Sequence, residues 1–523
     1  MEQTASGSEP GARLPLSWAE WAKHDGVALA ALVRSGEVSP GELAGQAAAA
    51  VARVDPALSG VLELFSDLIA EPARSGADTA GALYGVPVLL KDLAARLAGR
   101  RQEGGSALFR GAVAGETDPF IARILSAGLV PIGRSTTAEL GLGWDTTTNH
   151  AGALSITRNP FDLARTPGGS SGGSAALVAA GAVPIATSSD GGGSTRIPAA
   201  HCGLVGLKPT RGLCPRPLDS SEYQSRISTD GVVTRSVRDS AAVLDHTARV
   251  APGGAFMPVI SEAGRYLSGL DAAPARLRIG WSCGAWGRDA AIYPAATHRL
   301  EAVCAVLAAL GHDVVPVTDE AIAPWAELWE SYTINWMSAR GQLALLAEQR
   351  GLSRDGLRTL LSPMVDRMVD ASARYDKADL WRMMALNNCV TRHYGQLFGR
   401  IDILLTPAYA APVPAANGRA STFCDGDLDA WFADQLDAGR YAIPSNEVGA
   451  PALVLPAGTG EDGLPIGVQL CGAWRQEALL LRLAHSVERA RPDWFGLRPA
   501  THVTAATPIR TPAGDVTKGR VEP

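Results

Sequence analysis

The chain has 523 residues, of which 46% are hydrophobic and 19% are charged, which is the composition of an ordinary globular protein. The formal net charge of -6, with no long basic run, gives no indication of a nucleic-acid partner. No segment approaches the roughly 18–20 consecutive apolar residues that a membrane helix needs, and residues 1–13 lack a basic-then-apolar signal pattern. The seven cysteines form no Cys-x-x-Cys pair, which predicts a reducing, cytoplasmic compartment.

Taken in chain order, the predicted elements alternate between helices and strands. Ser39-Pro40-Gly41-Glu42 combines an N-cap serine, a proline at the first helical position and a glutamate at the third, which is typical of a helix start. Helical spacing of apolar residues predicts two helices within 17–54, then helices at 118–127, 174–180 and 298–310, over most of 320–400 and at 477–489. Short apolar runs predict strands at 85–90, 129–133, 183–186, 277–281, 314–317, 403–407, 452–456 and 467–470. This alternation favours an α/β sheet covered by helices on both faces.

The segment from Thr166 to Ser194 is rich in glycine and serine, yet it encloses the apolar stretch 175–186, which a flexible linker would not contain. Three glycines, Gly191, Gly192 and Gly193, directly precede Ser194, which follows Ser170 by 24 residues. Consecutive glycines allow successive N–H groups to point inward and bind an anion. Beside a serine this arrangement forms an oxyanion hole, so these glycines and Ser194 are candidate N–H donors and Ser194 is the candidate nucleophile.

A serine nucleophile needs a base, and Lys91 is the candidate. Only five of the 47 basic residues are lysines, and Lys91 ends an apolar strand in a chain that otherwise uses arginine for positive charge. Arginine cannot lose its proton in a protein, whereas burial can lower the pKa of a lysine by about 3 units, equivalent to roughly 4 kcal/mol. A neutral Lys91 is therefore predicted to activate Ser194 through the hydroxyl of Ser170.

Four separated motifs in this order closely resemble those of the amidase signature family. They are residues 85–92 (GVPVLLKD), 168–174 (GGSSGGS), 190–199 (DGGGSTRIPA) with 206–212 (GLKPTRG), and 449–456 (GAPALVLP) with 463–469 (GLPIGVQ). The resemblance implies a triad of Lys91, Ser170 and Ser194, with a cis peptide bond before Ser170. It implies hydrolysis of a small-molecule linear amide through an acyl-enzyme, without a metal or cofactor. It also implies a mixed β-sheet core flanked by helices.

The resemblance has finer features. Residues 158–161 (RNPF) and 89–91 (LLK) look closer to the cyclic-dimer hydrolase branch of the family than to its acetamidase-like members. Family members often carry threonine or isoleucine where this chain has Gly191, a departure that is expected to widen the oxyanion hole. The resemblance extends over roughly residues 20–497. We expect one domain at 17–498, with a signature core at about 80–250 and a helical insert at about 320–400, between a flexible N-terminus (1–16) and a disordered tail (499–523).

Two further residues are predicted to support the site. Asp190 is expected to accept hydrogen bonds from backbone N–H groups of the glycine loop. Arg196 is expected either to orient that loop through its backbone carbonyls, the favoured role, or to meet a substrate carboxylate. Lys208, before Pro209, is interpreted as structural.

Other interpretations remain open at this stage. The pattern Gly168-x-Ser170-x-Gly172 also fits the nucleophile elbow of α/β-hydrolases, although the hydrophobic strand that should precede it is missing. Within the family, the alternative is the glutaminase subunit of a tRNA-dependent amidotransferase, and a third possibility is a catalytically silent binding protein. Oligomeric state is undetermined, with a homodimer as the default expectation.

Overall fold

The computed structural model describes residues 14–150, 153–216, 226–250, 256 and 265–505. Its strands are β1 (Val61–Leu64), β2 (Pro87–Lys91), β3 (Val130–Ser135), β4 (Thr147–His150), β5 (Ala153–Ile156), β6 (Ile185–Asp190), β7 (Val205–Lys208), β8 (Thr229–Thr234), β9 (Arg278–Trp281), β10 (Asp313–Pro316), β11 (Ile403–Pro407), β12 (Ala452–Thr459) and β13 (Pro465–Gly472). Strands β4 and β5 form a separate hairpin. The other described strands form one 11-stranded sheet, in the order β1-β3-β2-β6-β8-β7-β12-β13-β11-β9-β10.

The sheet is mixed. Strand β2 runs parallel to both of its neighbours, β3 and β6, whereas β6 and β8 are antiparallel. Every residue of β2, β3 and β6 is buried, and since successive side chains of a strand point to opposite faces, both faces of this part of the sheet are covered. The α/β fold with a mixed sheet between helices is confirmed.

The helices lie between the strands along the chain. In the described residues they are α1 (Trp18–Lys23), α2 (Gly26–Ser35), α3 (Pro40–Leu58), α4 (Ser66–Ala70), α5 (Pro119–Ser126), α6 (Gly172–Ala179), α7 (Arg196–His201), α8 (Val237–Thr247), α9 (Pro294–Ala309), α10 (Asp319–Ile322), α11 (Trp325–Ser338), α12 (Gly341–Gln349), α13 (Arg354–Arg358), α14 (Pro363–Ser372), α15 (Lys377–Leu397), α16 (Leu428–Gly439), α17 (Ile443–Val448), α18 (Glu477–Ala490) and α19 (Pro492–Phe495). The mostly helical character predicted for 320–400 is confirmed. None of these helices combines the length and the apolar character that crossing a bilayer requires.

The N-terminal region differs from the prediction of two helices, because it contains three. The Ser39 cap of α3 is present as predicted, with a reciprocal bond from Glu42. The additional break lies at Asp25, whose side chain accepts a hydrogen bond from the Ala28 N–H and caps α2. The spacing of apolar residues alone predicts that one helix continues through this point. The capping carboxylate of Asp25 starts a new helix instead.

Several strands were missed or predicted too short, and polarity explains this. Strand β6 continues four residues beyond the predicted end at Ala186, through Thr187 to Asp190. These polar residues are extended because β8 pairs with them residue by residue, and their side chains bond to neighbouring polar groups instead of solvent. Strands β1, β7 and β8 also lack a long apolar run and were not predicted.

The predicted termini need one correction. Residues 1–13 and 506–523, which include most of the predicted flexible N-terminus and disordered tail, lie outside the described residues. Residues 499–505, however, are folded against the domain. Val503 is fully buried and its N–H donates to Ala180 O at 3.0 Å. A buried apolar side chain with a paired backbone amide holds this part of the predicted tail in place.

Candidate active site

The candidate site lies at the sheet edge where β2 and β6 end. Because these two strands are parallel neighbours, their carboxyl ends meet at one edge of the sheet. Lys91 is the last residue of β2, and Asp190 is the last residue of β6, just before the three glycines and Ser194. Strand pairing thus places the predicted base next to the predicted nucleophile loop, although about 100 residues separate them in the sequence.

The Lys91 amine is enclosed by hydroxyl groups. Its Nζ lies 2.7 Å from Ser170 Oγ and 2.9 Å from Ser189 Oγ, and the residue is 1% exposed. Burial lowers the pKa of Lys91 from its ordinary value of 10.5 to about 7, while the negative charges of Asp230 and Asp190 act in the opposite direction. The neutral and charged forms of this amine are therefore close in free energy near neutral pH.

Ser170 lies two residues before the start of helix α6 at Gly172, and the Gly169–Ser170 peptide bond is cis, as expected. The Ser171 N–H donates to Ser194 O at 3.3 Å, which links the two serine-containing segments. Ser170, Ser189 and Ser194 line the same cavity. The three residues predicted to form a triad therefore share one site: two of them border the cavity, and Lys91 lies behind Ser170.

A buried ion pair holds the loop that carries Ser194. Arg196 Nε and Nη2 each lie 2.9 Å from an oxygen of Asp190, and neither side chain is more than 1% exposed. Arg196 also donates to Ala442 O at 2.8 Å and to Gln469 Oε1 at 2.6 Å. Asn446 Nδ2 donates to Asp190 Oδ1 at 2.9 Å. Burial alone would raise the pKa of Asp190, but Arg196 and Asn446 outweigh it, so the pKa lies below its usual range and the carboxylate stays ionised.

Asp190 in turn accepts hydrogen bonds from the loop. Its carboxylate receives the N–H groups of Gly193 at 2.7 Å, Thr195 at 3.2 Å and Arg196 at 3.4 Å. The Arg196 guanidinium contacts none of the carbonyls of the glycine loop, contrary to the favoured prediction. It acts on the loop through Asp190 because the carboxylate lies between them.

The predicted set of N–H donors to the oxyanion needs one correction. The N–H group of Gly193 donates to Asp190 Oδ1 and therefore does not belong to the set. Among the described residues, the N–H groups of Gly191, Gly192 and Ser194 have no hydrogen-bond acceptor. Gly193 is required for its conformation instead: its φ is +116°, and a Cβ there would lie 2.8 Å from the Cβ of Ala442.

The cavity in front of Ser194 contains about 740 Å³ of empty space, including the part that opens to solvent. Its walls come from the loops that follow β2, β3, β5, β6 and β7, from the two residues that precede β8 and from the end of helix α11. A second cavity of about 290 Å³ shares Gly141, Leu142 and Trp336 with the first. The remaining lining of that second cavity is mostly aromatic: Trp144, Tyr332, Trp431 and Phe432, with Gly143, Gln435 and Leu436. Of the aromatic residues at helical spacing in α11, Tyr332 and Trp336 line these cavities, whereas Trp325 stacks on Trp286.

Sequence reasoning missed several polar residues of the site. Thr187 accepts the Lys91 N–H at 2.8 Å, and Ser189 contacts the Lys91 amine. These two positions, two apart on one strand, face the same side, so a strand extended to Asp190 would have revealed them. Asp230 lies opposite Ser189 across the β6–β8 pairing and is fully buried, and no local signal marks it. Burial raises the pKa of Asp230 to about 6, although Arg216 opposes this shift.

Comparisons with known proteins agree with this architecture. The Amidase family model matches residues 42–481. A 6-aminohexanoate-cyclic-dimer hydrolase from Paenarthrobacter ureafaciens is 35% identical over 494 residues, which covers 91% of this chain and 96% of that protein. A glutamyl-tRNA(Gln) amidotransferase subunit from Neisseria meningitidis serogroup B is 31% identical over 487 residues, which covers 90% of this chain and 98% of that protein.

The solved structures include a similar fold. A 6-aminohexanoate cyclic dimer hydrolase, also determined in complex with its substrate, superposes on this chain with a TM-score of 0.83 at 33% identity. The match covers 92% of this chain and 99% of that one. The family match spans most of the chain, and both the sheet and the site region lie within it. This chain therefore belongs to the amidase family and is an enzyme that hydrolyses amides at the carbon–nitrogen bond.

Proposed function

We propose that this chain hydrolyses a linear carboxylic acid amide to an acid and an amine or ammonia, through an acyl-enzyme formed on Ser194. The observation that carries the proposal is the buried Lys91 amine, which lies 2.7 Å from Ser170 Oγ behind the cavity that Ser194 lines. A desolvated lysine whose pKa is about 7 is half neutral at physiological pH and can act as a general base.

The proton moves along a relay of hydroxyl groups. A neutral amine has one lone pair and two N–H bonds, so Lys91 can accept a proton from Ser170 while donating to Ser189. Ser170 takes the proton of Ser194 as Ser194 Oγ attacks the amide carbonyl. The relay then returns the proton to the leaving amine, and water cleaves the acyl-enzyme by the same steps.

The negative charge on the carbonyl oxygen requires N–H donors close to Ser194. The proposal assigns this role to the N–H groups of Gly191, Gly192 and Ser194, which have no acceptor among the described residues. Loss of one such donor typically raises the barrier by about 3–4 kcal/mol. The Asp190–Arg196 pair supports these donors because it fixes the loop on which they lie.

Substitution of Ser194 by alanine tests the proposal directly. We expect Ser194→Ala to lower amide hydrolysis by at least about 10⁴-fold and to remove labelling by a fluorophosphonate serine probe. The control is Ser126→Ala, at the end of helix α5 and remote from the cavity, which should keep both amide hydrolysis and labelling. The substrates are a panel of linear, cyclic and aryl amides together with glutamine. Labelling that persists in folded Ser194→Ala would contradict the proposal. Turnover of glutamine with none of the other amides would instead favour the role of an amidotransferase glutaminase subunit over that of a free amidase.

The pH dependence of kcat/KM follows from the environment of Lys91. The neutral amine is the active form, so activity should rise with pH through about 7, the pKa of Lys91, and then level off. Asp230, which is ionised above pH about 6, raises the pKa of Lys91, and Arg216 lowers it. Asp230→Asn removes the effect of Asp230, so that Asp190 alone opposes the effect of Arg216. The acid limb of the profile should therefore move to lower pH, by about one unit.

The measurement is the pH profile of kcat/KM for a neutral amide with the wild-type and Asp230→Asn proteins. Asp190 also faces Lys91, but it stays ionised throughout this range and adds no second limb. An unchanged limb, or a shift to higher pH, would remove Lys91 as the titrating group.

A further inference from the structure

The cavity in front of Ser194 adjoins a third cavity on its apolar side. Its long polar side chains come from helix α11 and from the segments after α11 and β7: Asn335, Arg340 and Arg216. Leu93 and Leu140, from the loops after β2 and β3, line both this cavity and the third one. Both leucines lie beside Gly104, where a Cβ would be 3.9 Å from Leu93 Cδ1 and 3.4 Å from Leu140 Cδ2. The two leucine side chains therefore form the boundary between the two spaces.

The third cavity, the outer groove, is mostly apolar. It contains about 760 Å³ of empty space, including the part that opens to solvent. Its hydrophobic lining residues are Leu93, Phe109, Ala112, Val113, Ala114 and Leu140. Arg96 carries the one charge among its described lining residues, and Asp118 compensates this charge with an Nε–Oδ1 distance of 2.8 Å. Since transfer of apolar surface out of water is favourable, a groove of this composition suits an apolar ligand.

Backbone hydrogen bonds fix the boundary and one wall of the outer groove. The Gln102 N–H donates to Ala112 O at 2.9 Å, and the Leu140 N–H donates to Gly104 O at 2.7 Å. Leu140 has a φ of +51°, in the left-handed region that is unfavourable for a leucine. Such conformations persist where the surrounding structure imposes them, and they occur frequently at ligand sites. The position of the Leu140 side chain between the two spaces is therefore built into the fold.

The boundary lies next to the hydroxyl group that serves the departing amine. In the proposed relay, Ser194 Oγ is bonded to the carbonyl carbon when the amine departs and carries no proton. Ser170 Oγ is therefore the hydroxyl that faces the departing nitrogen. Gly141 lies between Ser170 and Leu93, since a Cβ there would be 3.5 Å from Ser170 Oγ and 2.7 Å from Leu93 Cδ2. A glycine at this position keeps the path from Ser170 towards the outer groove open.

We propose that the substrate is a secondary amide with an extended apolar substituent on its nitrogen, and that this substituent passes Leu93 and Leu140 into the outer groove. The inference rests on the proposed function at Ser194 and adds the class of substrate. The product that leaves first is then a primary amine with an apolar chain, and not ammonia. The residues of the outer groove are specificity-determining contacts. Their effect is on binding and therefore mainly on KM.

A set of simple amides tests the inference: N-methylbutanamide, N-hexylbutanamide and N-methylnonanamide. The last two are isomers that differ only in whether the long chain lies on the amine side or on the acyl side. Each methylene that is buried in the outer groove should raise kcat/KM by up to about fourfold. We expect N-hexylbutanamide to exceed N-methylbutanamide by about tenfold or more, and to exceed its isomer as well. The measurement is the initial rate of amine release, quantified after fluorescent derivatisation.

Two substitutions act on the outer groove itself. Ala112→Trp fills it, and Val113→Asp places a charge at a position that is 60% exposed, where the fold tolerates it. Each should lower the preference for N-hexylbutanamide over N-methylbutanamide by about five- to tenfold, chiefly through KM. The matched controls are Ala272→Trp and Val315→Asp, at exposed positions that line neither cavity, and they should leave the preference unchanged. Calorimetric Kd values for the same amides on Ser194→Ala give the comparison without turnover.

The outcomes separate the two proposals. Hydrolysis that depends on Ser194 but shows no preference for N-hexylbutanamide, or prefers N-methylnonanamide, would overturn the inference and leave the proposed function standing. A preference that survives both groove substitutions would also overturn it. If turnover of all these amides is slow, equal Kd values for the long and short N-alkyl compounds overturn it in the same way. Hydrolysis that persists in Ser194→Ala would instead overturn the proposed function, whichever compound is preferred.

Discussion

Replacement of Lys91 by methionine is expected to lower kcat/KM for amide hydrolysis by at least about 10⁴-fold and to leave the protein folded. Methionine fills a similar volume in this fully buried position, but it supplies no lone pair that can accept the Ser170 proton. Lys91→Arg should be equally inactive, because a guanidinium keeps its positive charge at every accessible pH. Steady-state kinetics on purified variants measure the loss, and thermal unfolding verifies that each variant is folded.

The matched control is Lys208→Met. Lys208 is also fully buried at the end of a strand, and burial lowers its pKa to about 7 as well. Its Nζ, however, donates to the carbonyl of Pro209 at 2.9 Å and contacts neither serine of the relay. We expect this variant to keep its activity within about tenfold, a loss of no more than about 1.4 kcal/mol of transition-state stabilisation. Near-wild-type turnover in folded Lys91→Met, or equal losses in the two variants, would contradict the assignment of Lys91 as the base.

Replacement of Arg196 by methionine is expected to destabilise the protein by about 3–5 kcal/mol and to remove activity. The substitution leaves the Asp190 carboxylate buried and ionised without its cation, and it removes the bonds to Ala442 and Gln469. The loop that carries Ser194 depends on Asp190 for three N–H contacts, so activity should fall even in molecules that stay folded. The midpoint of urea unfolding and the fraction labelled by a fluorophosphonate probe measure these two effects.

A double substitution and a surface control test whether the uncompensated charge of Asp190 causes the loss of stability. Asp190→Asn combined with Arg196→Met removes the uncompensated charge and should recover part of the lost stability relative to Arg196→Met alone. Arg276→Met breaks an Arg–Asp pair at the surface, where the arginine side chain is 72% exposed, and should barely move the urea midpoint. A double variant less stable than Arg196→Met would show that the buried charge is not the main cost.

Much of the fold was predictable because apolar runs and helix caps are local signals. The strand predicted at 403–407 is observed at Ile403–Pro407, and the capped helix after Ser39 begins at Pro40. Prediction failed where polar residues form strands, as in Thr187–Asp190 and the start of β8. In those segments pairing with neighbouring strands decides the conformation, and the apolar pattern carries no information about it.

The residues of the candidate site were likewise only partly predictable from the sequence. The residue types and spacing around Ser170 and Ser194 identified the loop, and the scarcity of lysine drew attention to Lys91. Their roles stay predictions until the variants are measured. Asp230, Arg216, Arg340 and Asn335 were missed, because each lies in a segment with no motif and reaches the site only through strand pairing or helix packing.

The sequence by itself determined which chemical groups are present and where the capped helices and the apolar strands lie, since residue chemistry, caps and apolar periodicity act over a few neighbouring positions. Only the tertiary structure decided the pKa values and the hydrogen-bond partners of those groups. Desolvation and Coulomb interactions depend on distances through space, and the residues that set the pKa of Lys91 are more than 90 positions away in the chain. The order of strands β2, β6 and β8 brings them together and converts an ordinary lysine into a candidate base.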